Sequence, residues 1–186
     1  MTQPIIVSDP SEHLILVDST DLEIGHMSKA DCHRGSGTRH RAFSIHLIDS
    51  HGRLLLQKRG ADKQLWPLFW SNSCCSHPRL GESMAEATRR RLQEELGIQC
   101  PVEYLYKFEY QAHYLDLGAE WELCWVYLGL LEHPPHMNPT EIAELGYFSP
   151  DEIDALVSHD PAEVTPWFSQ EWEYLKTHYA ERFLQS

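Results

Sequence analysis

At 186 residues, with 15 basic and 28 acidic side chains and a net charge of −13, the chain fits one domain with a sizeable core. That balance argues against non-specific binding to nucleic acid or anionic membrane, and any phosphate ligand would need locally placed cations or metal ions. Five cysteines exclude a complete disulfide framework. No basic, apolar leader is present in MTQPIIVSDPSEH, so they are expected as reduced thiols of a cytoplasmic protein.

Taken in order, residues 1–12 carry Pro4, Ser8, Asp9 and Pro10 and are expected as a loose segment ahead of a single domain, 13–186. The run 13–18 reads as a short strand, and 18–25 as a turn and return. Residues 29–40 show no periodicity and read as loop. From residue 41 the chain alternates, with Phe43, Ile45 and Leu47 on one side and Ala42, Ser44, His46 and Ile48 on the other. Residues 49–52 are turn chemistry, and 53–59 answer as a second strand. Lys58, Arg59 and Lys63 then precede an aromatic loop with Trp66, Phe69 and Trp70.

A charged helix follows. Ser83 and Glu86 form a capping box, Gly97 closes the last turn, and Ala85, Thr88, Leu92 and Leu96 are expected as its buried stripe. Glu94 and Glu95 lie in the last turn, where the helix dipole disfavours anions. They are either part of a salt-bridged face or a place for a metal ion or cationic group. Runs 102–110 and 121–131 read as strands, with Asp116 and Gly118 between them. Ser149-Pro150-Asp151-Glu152 and Thr165-Pro166 open two more helices. The second carries Phe168, Trp172, Leu175, Tyr179 and Phe183 as its apolar stripe. The order indicates a mixed α/β single domain.

Counted back from Gly97, the chain reads Ser76-x5-Glu82-x7-Arg90-Arg91-Leu92-x-Glu94-Glu95-x-Gly97-Ile98. This resembles the Nudix box, G-x5-E-x7-R-E-U-x-E-E-x-G-U with U aliphatic. Ser76 replaces the opening glycine, and Arg91 replaces a glutamate that helps bind metal in Nudix hydrolases. The second change counts against pyrophosphate hydrolysis. The stretch SNSCCSHP and the later Tyr110…Glu120-Trp121-Glu122 resemble one branch of the superfamily, the type 1 isopentenyl-diphosphate isomerases, over about residues 33 to 167.

The resemblance implies an α/β/α sandwich with a mixed sheet. The implied activity is isomerisation of isopentenyl diphosphate to dimethylallyl diphosphate through a tertiary carbocation, in isoprenoid biosynthesis. It implies His33, His40, His77, Glu120 and Glu122 as ligands of one Mn²⁺, Zn²⁺ or Mg²⁺, with Cys75 and Glu95 as further metal-contacting residues. Glu95 would hold a Mg²⁺ that accompanies the substrate diphosphate. Lys29, Arg59, Lys63 and Arg91 are the implied diphosphate ligands, and Trp167 faces the forming cation. Cys75 and Glu122 are the implied proton-transfer groups, with Tyr110 beside Glu122 on the donor side and Cys75 as the base. A small-molecule partner suffices, with neither nucleic acid nor membrane, and a monomer is compatible with it.

Residue chemistry supports part of that set. Glu120 and Glu122 share a face if they lie on a strand. A thiol beside a metal and cations can have a lowered pKa. Among twelve histidines, however, any single one is more often surface or hydrogen-bonded core than a ligand, and His46 is the best decoy for His40. Arg89 and Arg90 read best as solvated surface charge, and a turn is expected to point Cys74 and Cys75 apart.

Overall fold

The computed structural model describes residues 6–183. In chain order the strands are β1 (His13–Val17), β2 (Glu23–Ser28), β3 (His40–Ile48), β4 (Leu54–Arg59), β5 (Trp70–Ser71), β6 (Cys74–Ser76), β7 (Val102–Tyr114), β8 (Gly118–Leu130) and β9 (Ile142–Phe148). The α-helices are α1 (Lys29–Cys32), α2 (Met84–Leu96), α3 (Pro150–His159) and α4 (Pro166–His178).

β3 organises the sheet. It runs parallel to β8 from His40↔Glu122 to Ile48↔Leu130 and antiparallel to β6 from Phe43↔Ser76 to Ile45↔Cys74. Both of its faces are buried, as a strand with a parallel partner requires, although one of them carries His40, Ser44 and His46. Phe43, Ile45 and Leu47 pack with Ala87, Leu92 and Leu96 of α2. Ala42, on the other face, packs with Phe168, Trp172 and Leu175 of α4. Each large side chain buried this way contributes about 1.5–3 kcal/mol. Helices on both faces of a mixed sheet make the expected α/β/α sandwich.

Several elements differ from the sequence reading. α1 interrupts the expected loop as a single turn, with the Ser28 hydroxyl accepting from Asp31 N. β7 and β8 are both 13 residues long, well beyond the runs expected. β9, unread in the sequence, pairs antiparallel with β4. On α2 the buried residues are Ala87, Thr88, Arg91, Leu92, Glu95 and Leu96, while Ala85 is exposed. The stripe is rotated because Arg91 and Glu95 are buried as a pair. α4 ends at His178, so Phe183 packs from a separate turn beyond it. Residues 6–12 form neither helix nor strand but are tethered rather than loose: Pro10 O accepts from Ala30 N at 3.0 Å and Val7 O from Arg91 at 2.9 Å. Residues 1–5 of the expected loose segment lie outside the described residues.

Candidate active site

Four elements deliver one cluster of nitrogen and oxygen donors. His33 follows α1, His40 starts β3, His77 follows β6, and Glu120 and Glu122 alternate on β8. The ligand atoms of His33, His40, His77 and Glu120 all lie within 4.8 Å of one another. Glu122 Oε1 is 3.0 Å from His77 Nε2 and 3.7 Å from His40 Nε2. The approach of the His33 loop to β8 depends on Gly118, which has φ 153°; a Cβ there would lie 2.4 Å from His33 O.

The protonation of the cluster is set by its two carboxylates. His40 Nδ1 lies 2.7 Å from Thr38 O, which can only accept, so Nδ1 carries a proton. Burial pushes the His40 imidazole down, but Glu122 and Glu120 outweigh it and push it up, so a metal ion would take the place of a proton on Nε2. Burial, reinforced by the charges of His40, Lys29 and His33, holds His77 well below the usual imidazole range and therefore neutral. Burial pushes the Glu120 and Glu122 carboxyls up, but the neighbouring histidines outweigh it and both end below the ordinary range. His33 Nε2 faces Glu120 Oε2 at 2.9 Å and His40 Nε2 faces Glu122 Oε1 at 3.7 Å, and these buried atoms have no better-aligned partner among the described residues. Three imidazoles and two carboxylates that converge in this way fit a divalent metal ion. Cys75 and Glu95 stand apart from this group. Cys75 Sγ has Arg59 Nη1 at 3.7 Å, and Glu95 Oε1 accepts from Arg91 at 2.9 and 2.6 Å.

A cavity of about 280 Å³ opens beside the cluster, lined in part by Cys75, Tyr110, Glu122 and Trp167. Strand alternation separates the two thiols, where the sequence reading expected a turn. Cys75 pairs opposite Ser44 and reaches the cavity, whereas Cys74 is buried against α2 with its Sγ 3.5 Å from Glu95 Oε1. Burial pushes the Cys75 thiol up to about 12; Arg59 opposes this, and Glu95 and Glu122 add to it. The expectation of a lowered thiol pKa is therefore reversed. Tyr110 donates to Glu122 Oε2 at 2.7 Å. The Trp167 ring centroid is 5.8 Å from that of Tyr110, and its Nε1 donates to Asn72 Oδ1 at 3.1 Å. Of the other aromatics, Trp66 packs edge-on against Trp167, Trp70 packs on Phe148, and Trp121 lies under Arg39 near the surface.

Residues 38–168 match the NUDIX domain. Isopentenyl-diphosphate Delta-isomerase 1 of Photorhabdus laumondii is 39% identical over 171 residues, which span 90% of this chain and 97% of that relative. The isopentenyl-diphosphate Delta-isomerase of Nocardia farcinica is 40% identical over 167 residues, spanning 89% and 95%. The chain belongs to the isopentenyl-diphosphate Delta-isomerases of the Nudix family. In fold it is similar to DR0079 from Deinococcus radiodurans, with a TM-score of 0.72 at 23% identity over 88% of this chain and 98% of that one. A MutT protein from Methanosarcina mazei aligns with a TM-score of 0.63 at 15% identity over 76% and 95% of the two chains.

This isomerase's cavity is also cationic, lined by Lys29, Arg59, Lys63 and Arg91, with Arg59 lying 5.3 Å over the Trp167 ring. Burial, and then repulsion from Lys63 and Arg91, pushes Lys29 down to about 8. Arg59 binds the carbonyls of Leu65 and Trp66 at 3.0 and 3.1 Å, which holds Trp66 at φ 48°, an uncommon value for a residue with a Cβ. Arg91 is 2% exposed and donates to Glu95, Glu141 and Val7 O. The cation that the carboxylates of the last turn call for is thus supplied by the same helix. Arg90, expected as free surface charge, bridges Glu82 and Glu94 at 2.7 and 3.0 Å and reaches His77 O at 3.3 Å. Arg89 is exposed, as expected. His46 is the decoy it was taken for: its Nε2 meets Glu171 Oε2 at 2.9 Å inside the core.

Two residues at this site escaped the sequence reading. Asn72 lies within SNSCCSHP, yet its role appears only in three dimensions. Its amide nitrogen donates to Cys74 O at 2.8 Å and its oxygen accepts from Trp167, so it ties the thiol turn to α4. Glu141 precedes β9 in a stretch without any chemical motif, and it holds both Lys63 and Arg91.

Proposed function

We propose that this isomerase interconverts isopentenyl and dimethylallyl diphosphate with Cys75 and Glu122 as its two proton-transfer groups. The diphosphate lies among Lys29, Arg59, Lys63 and Arg91. The observation that carries this reading is a thiol and a carboxylate lining one cavity that four cationic side chains also line. Arginine and lysine give charge-assisted hydrogen bonds to phosphate oxygens.

In the forward direction the terminal methylene of the alkene takes a proton and the substituted carbon becomes a tertiary cation. A proton then leaves the carbon between that centre and the diphosphate-bearing carbon, and the double bond forms there. With Cys75 as the neutral thiol and Glu122 as an ionised, metal-held carboxylate, Cys75 would be the donor and Glu122 the acceptor. That order is opposite to the one expected from the sequence. Tyr110 steadies the Glu122 carboxylate through its hydrogen bond. The Trp167 ring stabilises the cation by roughly 2 kcal/mol where desolvated. The apolar walls that Leu65 and Trp167 give the cavity help keep out water, which would trap the cation.

His33, His40, His77, Glu120 and Glu122 would hold one Mn²⁺, Zn²⁺ or Mg²⁺, whose charge keeps Glu122 ionised. Glu95, whose Oε1 is held by Arg91 in the unliganded protein, would have to exchange that contact to hold a Mg²⁺ arriving with the diphosphate. No helix among the described residues is long and apolar enough to cross a membrane; a cytoplasmic setting belongs to the same proposal.

Incubation with Mg²⁺ and isopentenyl diphosphate should yield the allylic diphosphate; release of free phosphate instead would mark a hydrolase. The order of transfer is tested in deuterated water. Glu122→Gln should return unisomerised substrate with deuterium at the terminal methylene, because Cys75 still donates reversibly. Cys75→Ala should return substrate without label. The opposite pattern would restore Glu122 as the donor.

A further inference from the structure

We infer that Glu141 is a positioning residue for diphosphate binding, a buried carboxylate that backs Lys63 and Arg91 and fixes their heads toward the cavity. The inference rests on the proposed role of those two cations.

The carboxylate is anchored from several sides. Glu141 is 3% exposed. Its backbone N donates to Asn138 O at 3.0 Å and its O accepts from Gly60 N at 2.7 Å, while Asn138 N donates to Glu95 O at 2.7 Å. Glu141 is thereby stapled to the end of α2, which carries Arg91, and to the loop after β4, which carries Lys63. Its Oε2 accepts from Lys63 Nζ, from Arg91 Nη2 at 3.1 Å and from Ser8 Oγ at 3.0 Å. Lys63, Arg91 and Ser8 all line the cavity, and Glu141 does not. Its negative charge therefore stands behind the cations instead of in the path of the anion.

That placement answers an electrostatic difficulty. Lys29, Lys63 and Arg91 repel one another, and long side chains left without a partner would spread toward solvent. A buried counter-charge keeps them gathered, which lowers the ordering cost that the substrate would otherwise meet on binding. Glu141 touches none of the residues assigned to proton transfer, so its effect belongs in binding and not in turnover.

The test uses Glu141→Gln, with Glu141→Asp in reserve should the first be insoluble. Inorganic pyrophosphate with Mg²⁺ is titrated by calorimetry, and steady-state kinetics are run with isopentenyl diphosphate. The pyrophosphate Kd and the KM should each rise about tenfold, with kcat within about twofold and metal content unchanged. In a cycle with Lys63→Met, the further loss of pyrophosphate affinity from Glu141→Gln should be smaller than in the wild type, because part of its effect acts through that lysine and the rest through Arg91. A variant that only melts earlier, at unchanged Kd and KM, would make Glu141 a stability residue and overturn the inference. Tighter pyrophosphate binding would do the same by making the carboxylate a competitor. If Lys63→Met and Arg91→Ala themselves bind pyrophosphate like the wild type, the diphosphate assignment fails first, and the two failures are told apart.

Discussion

Lys29 enters the cavity wall at the first residue of α1, and its charge is the most sensitive of the cationic group. Burial, with Lys63 and Arg91 adding repulsion, brings it from 10.5 down to about 8. The protonated amine is the form that attracts a diphosphate. Affinity should therefore be full below pH 8 and fall as pH rises through it. Stability should move the other way: between about 8 and 10.5 the unfolded chain binds the proton and the folded chain does not, so this group adds stability as pH rises through that window. A kcat/KM profile with a parallel series of thermal melts should show the two opposed slopes. Lys29→Arg, charged throughout, should extend the kinetic plateau to higher pH, and an alkaline limb that stays in place would move the assignment to another group. The resemblance chooses Cys75 over Cys74 by its place two residues before His77, and alternation along β6 explains why only one of the two thiols reaches the cavity. The sequence does not reveal the direction of the Cys75 pKa, because burial depends on Trp167, Tyr110 and other residues far along the chain.

At the level of elements, the meeting of the His33 loop with the start of β8 has a sharp steric condition. Gly118→Ala would place a Cβ 2.4 Å from His33 O, at a φ that side chains rarely adopt. The loop must move, and His33 moves with it. The variant should lose about 1–2 kcal/mol or more of stability from backbone strain and should also bind Mn²⁺ more weakly. Gly35→Ala is the control: it has φ 63° but nothing within 4 Å, so it should show strain without loss of metal affinity. Equal Mn²⁺ affinity in both variants, by calorimetry, would separate Gly118 from the metal group. Elements with local signals were legible in the sequence. The capping boxes at Ser83 and Ser149 form as read, because all their partners lie within one turn. β5, β6 and β9 were not, because they are short or half-exposed and exist through pairing with β3 and β4. The rotated stripe of α2 escaped for a related reason, since a buried Arg91–Glu95 pair looks polar in any hydrophobic pattern.

For the molecule as a whole, the donor cluster is a cross-link between distant parts of the chain. No interval in the sequence brings His33, His40, His77 and Glu120 together; the resemblance to known isomerases identified them, and the shared register of β3, β6 and β8 explains the convergence. A cation bound there stabilises only the folded state. By linkage the gain is ~2.7 kcal/mol when the free metal is a hundred times its Kd. For a domain of this size that corresponds to a rise of roughly 5–10 °C in Tm. Chelation should therefore lower the melting temperature by that amount, and added Mn²⁺ or Zn²⁺ should restore it. His40→Ala should abolish the metal-dependent increment because a ligand is missing. His46→Gln should melt earlier, since Glu171 loses a buried hydrogen-bond partner at 2.9 Å, yet it should keep the full increment on adding metal. Melting curves of the three proteins, with and without metal, separate a ligand from a core histidine without reference to activity. If His46→Gln lost the increment and His40→Ala kept it, the roles of the two histidines on β3 would be exchanged. The cluster would then have to form further along the same face of β3, where His46 meets Glu171.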